Sequence, residues 1–428
     1  MEYLIWHCYG QGGRGMRRMP LYVGDLRQEA SLIGLNDITD AARRVGPYIH
    51  KTPLIYSNSF SRLTGAEVFL KVENLQKTGS FKVRGAFNKI MGVRGNKVIA
   101  ASMGNHAQGV AYAAGRLGRS AKIVMPVTAP IVKQEATKGY GGEVVLCGES
   151  FSEALAYALS QKDYEFIHAF DDDAVIAGQG TVGCEIAAEI SDADYVLVPV
   201  GGGGLISGIA AAMKALTPNT RVIGVQTSAA PSAFISFREK SLSERPPLPT
   251  IADGIAVGKV GERTLAIMSK YVDDMFLVEE EYIAMSILLF LERKKLVVEG
   301  AGAVPLAAVI GNKERFAGKR IVLVVSGGNI DFTLIDRIIH KGLVTSGRIG
   351  VFEVTVDDVP GRLHSLTGII AAHKANVLNV VHDRIALDLP VVKTKVIFTV
   401  ETKGKEHLEE IISDLREKGF ELKKREGA

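Results

Sequence analysis

From Lys97 onward the chain alternates short runs of β-branched and small apolar residues with longer stretches of helical periodicity. This alternation restricts it to a small set of folds. Lys97–Ala101, Ala121–Met125, Glu143–Leu146 and Phe166–His168 read as strands. Helices are predicted over Ala107–Leu117, Ile131–Lys138 and Phe151–Leu159, the second begun by Pro130. A second series holds helices over Thr181–Ile190, Leu205–Leu216, Glu281–Lys294, Ala301–Ile310 and Asp331–His340, with strands over Tyr195–Val200, Arg221–Gln226 and Arg320–Val325. Parallel strands need a crossover, and the intervening helices supply it, so both series predict βαβ units around mainly parallel sheets. Two series predict two lobes with a site between them.

The pattern breaks at Lys341–Gly350, which carries Gly342, Thr345, Ser346 and Gly347. Beyond it Ile349–Asp357, Val377–Val381, Val391–Val400 and Phe420–Lys423 read as strands, and Pro360–Ala372 and His407–Lys418 as helices. That β-α-β-β-α-β order is the ferredoxin-like plan. Upstream, Asn36–Val45 reads as a helix capped by Asn36 or Asp37. Residues 1–31 read as a flexible extension, with Met16 and Met19 as candidate starts. Gly10–Gly15 matches G-x-G-x-x-G, but no helical pattern follows, so it makes no dinucleotide site. The divisions expected are an extension at 1–31, a body at 32–342, a linker at 343–348 and a module at 349–428.

Composition excludes more than it assigns. Lys plus Arg number 51 against 47 Asp plus Glu, which makes no case for a nucleic-acid or membrane partner. No apolar run approaches the ~20 residues of a membrane span. Cys8, Cys147 and Cys184 are odd in number and far apart, so neither a disulfide framework nor a zinc pattern is expected, and a reducing cytoplasm is. His364 and His373 fall on opposite faces of a helix and make no metal site, and none is expected elsewhere.

Chemistry concentrates at four turns. In Gln76–Ala86, after a strand over Glu67–Glu73, Ser80 reads as the N-cap of a helix over Phe81–Met91. Lys82 then lies in the first turn, where unpaired N–H groups disfavour an ammonium. An uncharged lysine amine is a nucleophile toward aldehydes. Ser102–Gly109 joins a strand to a helix and reads either as a capped turn or as a nest for a carboxylate. Gly201–Gly204 with Leu205 follows a strand and opens a helix, a setting that suits phosphate, without the Lys-Ser/Thr of a P-loop. Ser326–Asn329 ends another strand, and Glu299 precedes a helix as an N-terminal carboxylate.

The run Lys77-Thr78-Gly79-Ser80-Phe81-Lys82-Val83-Arg84-Gly85-Ala86, preceded by Glu73-Asn74-Leu75-Gln76, resembles the lysine motif of fold-type II pyridoxal-phosphate (PLP) enzymes, in the form found in threonine dehydratases. The Asn105 and glycine turns follow in the family's order, and the resemblance covers the chain from about Asn36 to its end. It implies a two-lobed catalytic domain like the tryptophan synthase β-chain, with a small lobe at about 76–178 inserted in the large one. The cofactor is PLP. Lys82 would hold it and take the substrate's Cα proton. Asn105 would contact its phenolic oxygen, Gly201, Gly202, Gly203, Gly204 and Leu205 its phosphate, and Ser326 its ring nitrogen. Ser102, Gly104, Asn105 and His106 would grip the substrate carboxylate, with Glu299 near the ring. A neutral hydroxyl at the ring nitrogen favours β-elimination over transamination or racemisation. Met103 stands where related serine racemases have a second serine, and Gln226 and Ser232 where they have metal-binding carboxylates, so racemisation and that metal site are not expected. Val359–Leu363 gives the C-terminal module a resemblance to ACT domains, which implies an amino-acid effector and a homo-oligomer, dimer or tetramer. The activity implied is a threonine dehydratase acting also on serine. The rivals are a β-replacement synthase on the same scaffold and a ligand sensor with an inactive core.

Overall fold

The computed structural model describes residues 32–424. The expected extension at 1–31 lies outside them, as do the last four residues. The chain opens with α1 (Leu35–Val45), β1 (Leu54–Tyr56), α2 (Asn58–Thr64), β2 (Glu67–Val72) and α3 (Lys82–Met91). It continues through β3 (Lys97–Ala101), α4 (Asn105–Arg116), β4 (Ser120–Met125), α5 (Ile131–Gly139), β5 (Glu143–Leu146), α6 (Phe151–Ser160) and β6 (Glu165–Phe166). Then come α7 (Asp173–Glu189), β7 (Tyr195–Pro199), α8 (Gly204–Leu216), β8 (Arg221–Thr227), α9 (Ser232–Glu239), α10 (Glu262–Tyr271) and β9 (Asp274–Val278). The body closes with α11 (Glu280–Leu289), α12 (Gly300–Gly311), α13 (Lys313–Phe316), β10 (Arg320–Val325) and α14 (Phe332–Thr345). The C-terminal module is β11 (Ile349–Asp357), α15 (Arg362–Ala372), β12 (Asn376–Asp383), β13 (Lys393–Glu401), α16 (Lys405–Glu417) and β14 (Glu421–Lys424).

Two sheets carry the body. A six-stranded sheet has the order β1-β2-β10-β7-β8-β9, parallel except for β1, and a four-stranded parallel sheet has the order β5-β4-β3-β6. The large sheet is covered on both faces. Ile321, Leu323 and Val325 of β10 pack with Val304 and Leu306 of α12, while Val322 and Val324 pack with Ile206 and Ile209 of α8. This is why β10 reads as an unbroken apolar run rather than an alternation. The strand order has a functional consequence. β10, late in the chain, enters between β2 and β7, so the turns after β2, β10 and β7 sit side by side at the carboxyl ends of adjacent strands. That edge is where open α/β sheets hold ligands.

Several local expectations are corrected. Ser80 does not cap α3: the cap position is Phe81, and the Ser80 backbone instead bridges Gly327. Neither Asn36 nor Asp37 occupies the α1 cap, which is Gly34; Asp37 accepts the Gly34 N–H at 2.8 Å. The helix expected from Thr181 starts at Asp173, capped by Asp172, because its first turns pack against α3. The strand expected over Phe166–His168 stops at Phe166, where His168 Nδ1 accepts the N–H groups of Phe170 and Asp171 and turns the chain. α14 runs to Thr345, five residues past its expected end, so only Ser346–Arg348 connects it to β11. The helix expected over Glu281–Lys294 is α11 continued by a π-helical turn, Phe290–Lys294.

The C-terminal module is a four-stranded antiparallel sheet, β12-β13-β11-β14. Buried residues alternate along β13, and Phe352, Val354, Phe398 and Val400 face Leu366, Ile370, Ile411 and Leu415 of α15 and α16. One face therefore makes its core, as a period of two requires.

Candidate active site

The turn between β2 and α3 is bonded to the turn after β10 through the backbone. Phe81 N donates to Ser326 O at 3.1 Å and Gly328 N to Gly79 O at 2.9 Å. Gly79 adopts φ +71°, the left-handed region where glycine is favoured. These bonds fix the start of α3 and with it Lys82, whose Nζ donates to Ala169 O at 2.9 Å. Burial pushes the Lys82 ammonium down to a pKa of about 8, against an opposing pull from the Glu299 carboxylate. The direction matches the sequence argument, but desolvation is the main cause.

Glu299 holds the N-cap position of α12 without a side-chain capping bond and is 4 % exposed. Its two oxygens accept from Asn105 Nδ2 at 2.9 and 3.0 Å, and its N–H donates to Gly327 O at 3.1 Å. Burial raises its pKa to about 7, the Asn105 bonds working in the opposite sense. Lys82 and Glu299 thus change charge near neutrality, a pattern that marks sites of proton transfer.

The Ser102–Asn105 turn ends β3 and opens α4. Gly104 holds the cap position with no side chain capping the helix, and Ser102 Oγ accepts the Gly104 N–H at 3.2 Å. The first N–H groups of α4 are therefore left for an anion. His106 is buried, pairs Nε2 with Ile167 O at 2.9 Å, and has a pKa lowered by burial to about 3. Its side chain is thus occupied by backbone and held neutral, which leaves its N–H at the start of α4 as the group that faces the turn. Leu205 likewise packs in the core.

The glycine run opens α8 without a side-chain cap, and Gly203 has φ +92°. A Cβ on Gly202 would fall 2.3 Å from the Phe170 ring, and one on Gly203 would fall 2.8 Å from Thr264. Phe170 and the Ala169 carbonyl lie on the link from β6 to α7, and no sequence signal marked either. Lys133 and Asp253, paired at 2.8 Å, were also missed; both act electrostatically on Glu299. Gln226 Oε1 accepts the Phe234 N–H and Ser232 Oγ donates to Val257 O, so both oxygens are held by backbone.

These residues fit a phosphorylated aldehyde. A lysine of lowered pKa lies between two uncapped helix N-termini, and the hydroxyls of Thr78 and Ser80 in the lysine turn are buried without partners. Ser326, 2 % exposed, stands at the end of β10 between the lysine and glycine turns. Residues 45–327 match the pattern of the pyridoxal-phosphate dependent enzymes. The chain belongs to this family.

Within the family, the chain is 49 % identical to the L-threonine ammonia-lyase of Thermotoga maritima over 399 residues, 92 % of this chain and 99 % of that one. It is 45 % identical to a catabolic L-threonine dehydratase of Staphylococcus aureus strain N315 over 327 residues, 74 % of this chain and 94 % of that one. In structure it is similar to the processed form of threonine deaminase isoform 2 from Solanum lycopersicum. The TM-score is 0.69 at 38 % identity, covering 71 % of this chain and 87 % of that one.

Proposed function

We propose that this chain is a pyridoxal-phosphate-dependent threonine ammonia-lyase, converting L-threonine to 2-oxobutanoate and ammonia and L-serine to pyruvate and ammonia. The observation that carries the reading is Lys82. It has a lowered pKa and sits within the intact lysine motif of a chain that spans nearly all of a threonine ammonia-lyase at 49 % identity. When bound, PLP supplies an electron sink for the charge left at the substrate Cα. Lys82 Nζ would hold the cofactor, and as a free amine it would accept the substrate's Cα proton. The α4 N-terminus with Ser102 would orient the substrate carboxylate, and the α8 N-terminus would hold the phosphate. Asn105 and Ser326 would contact the cofactor's ring. Loss of the Cα proton and of the β-hydroxyl as water leaves an enamine, whose hydrolysis gives the oxoacid and ammonia. Ammonia release measured across the amino acids tests this: threonine and serine should be turned over. Turnover only when an activated serine and sulfide are both supplied would favour the β-replacement alternative.

The C-terminal module is read as an ACT-type regulatory domain. Its strand and helix order supports this, as does the polar turn Asp357–Gly361 before α15, where Gly361 has φ +92°. The effector proposed is an amino acid, isoleucine first. The open edge of β12, with Leu378 and Val381 exposed beside it, supports pairing between copies into a dimer or tetramer. A cytoplasmic enzyme of amino-acid metabolism, supplying isoleucine precursor, is the setting proposed. Sedimentation with and without isoleucine tests the assembly and the effector together.

A further inference from the structure

Asn329 closes the turn after β10 and is exposed to solvent. The two N–H groups of its Nδ2 nevertheless reach the Thr78 carbonyl at 2.8 Å and Asn105 Oδ1 at 2.8 Å, with Gln108 Oε1 at 3.3 Å sharing one of them. One side chain therefore reaches the lysine turn, the start of α4 and, through its own backbone, the serine turn. The chain leaves room for it. A Cβ on Gly79 would fall 2.4 Å from Asn329 Oδ1, so a side chain there would push the Asn329 amide aside.

We propose that Asn329 is a positioning residue for the elimination: it fixes which end of the Asn105 amide faces which neighbour, and it fastens the Asn105 turn to the Lys82 turn. The proposal rests on the PLP reading above and names a residue that reading does not use.

The argument is one of donors and acceptors. An amide has one end that only accepts and one that only donates. Glu299, an acceptor, holds the Nδ2 end of Asn105, and Asn329, a donor, holds its Oδ1 end. Both neighbours demand the same orientation. Turned by half a revolution, the amide would set its oxygen against the Glu299 carboxylate and its NH2 against that of Asn329. Two unfavourable contacts would replace three favourable ones. Glu299 alone gives the preference from one side, and Asn329 completes it from the other. Because Asn329 is exposed, water can satisfy the groups it leaves, so replacing it should cost the fold little.

The test uses Asn329→Ala and Asn329→Asp in the full chain. Alanine removes the donor. Aspartate keeps the shape but sets a carboxylate against Asn105 Oδ1, so that two carboxylates compete for one NH2. Three quantities are read: melting of the apoprotein, PLP affinity by titrating the apoprotein, and the absorbance spectrum of the bound cofactor. The expected result is unchanged melting, PLP affinity lowered about tenfold in the alanine variant, a larger loss in the aspartate variant, and an altered spectrum in both. Wild-type affinity and spectrum in both variants would overturn the proposal. So would an aspartate variant no worse than alanine, since orientation would then not matter. If the wild-type protein released no ammonia from any amino acid, the functional reading would fail, while the PLP titrations would still decide the role of Asn329.

Discussion

Arg84, in the body, is fully buried and donates to both oxygens of Glu73, at 2.7 and 2.8 Å, and to both oxygens of Glu185, at 2.7 and 2.9 Å. Lys71, also buried, adds a bond to Glu185 at 2.6 Å. In the C-terminal module, Arg384 holds Asp358 at 2.6 Å with two thirds of its side chain in solvent, 66 %. The distances are alike and the consequences are not. Burial works against the charge on Glu73, yet Arg84 outweighs it and holds that carboxyl below the usual range. Lys71, Glu73 and Arg84 are fully buried and Glu185 is 16 % exposed, so the four form a network in which each buried charge needs the others. A pair at the surface shares its charge with water and salt.

The two regions differ in the same way at the level of sheets. The body's large sheet is packed on both faces, and the turns after β2, β10 and β7 stand side by side at its strand ends. The module's sheet has its apolar core on one face, an edge strand at β12, and a β12–β13 loop that leaves Ile385, Leu387 and Val391 in solvent. The difference is one of packing: the body's large sheet is covered on both faces, and the module leaves apolar side chains in solvent beside an edge strand.

The contrast can be tested at five points. The largest effect is expected at Lys82→Ala, which should abolish ammonia release while circular dichroism and melting stay native; near-normal turnover without added amine would sink the site. Next comes Arg84→Leu, which strands Glu73 and Glu185 without their main partner and should cost about 3–5 kcal/mol in urea unfolding. Third, a chain ending at Gly347, past the end of α14, should keep its turnover and lose any response to amino acids. A retained response would place the effector site in the body.

Fourth is Glu299→Gln. A carboxyl whose folded pKa is raised to about 7 from 4.5 contributes stability that is full below the unfolded value. That contribution is lost as pH rises through 7. The variant should flatten the stability profile between about pH 5 and 8. It should also move PLP capture by the apoprotein to lower pH, because the carboxylate that raises the Lys82 pKa is gone. A capture profile identical to wild type would show that the two groups do not communicate. The smallest effect is expected at Arg384→Ala, with no measurable change in melting. A clear loss there would break the contrast between buried and surface charge.

Much of this was legible before the fold was known, and the reasons are local. Lys82 in a first helical turn, the glycine run before a helix and the serine at a strand end are each defined by a few consecutive residues. Turn chemistry acts over the same range. The module's strand and helix order was legible because period two and period 3.6 differ within ten residues. Local signals failed where a distant segment competed. Ser80 has the chemistry of a cap, but Gly327 draws its backbone into a bridge and leaves Phe81 at the cap position.

The sequence by itself determined that strands and helices alternate, that a lysine opens one helix and a glycine run another, and that the last part of the chain folds on a different plan. The tertiary structure alone decided that β10 enters between β2 and β7, bringing Ser326, Lys82 and Gly201 together. It alone set Glu299 against Asn105, 194 positions away, and Asn329 against both Asn105 and Thr78. The physical reason is that strands buried on both faces are apolar throughout, so their patterning carries no record of which strand lies beside which. The same burial moves Lys82 and Glu299 toward neutrality, and burial belongs to the assembled fold rather than to any stretch of the chain.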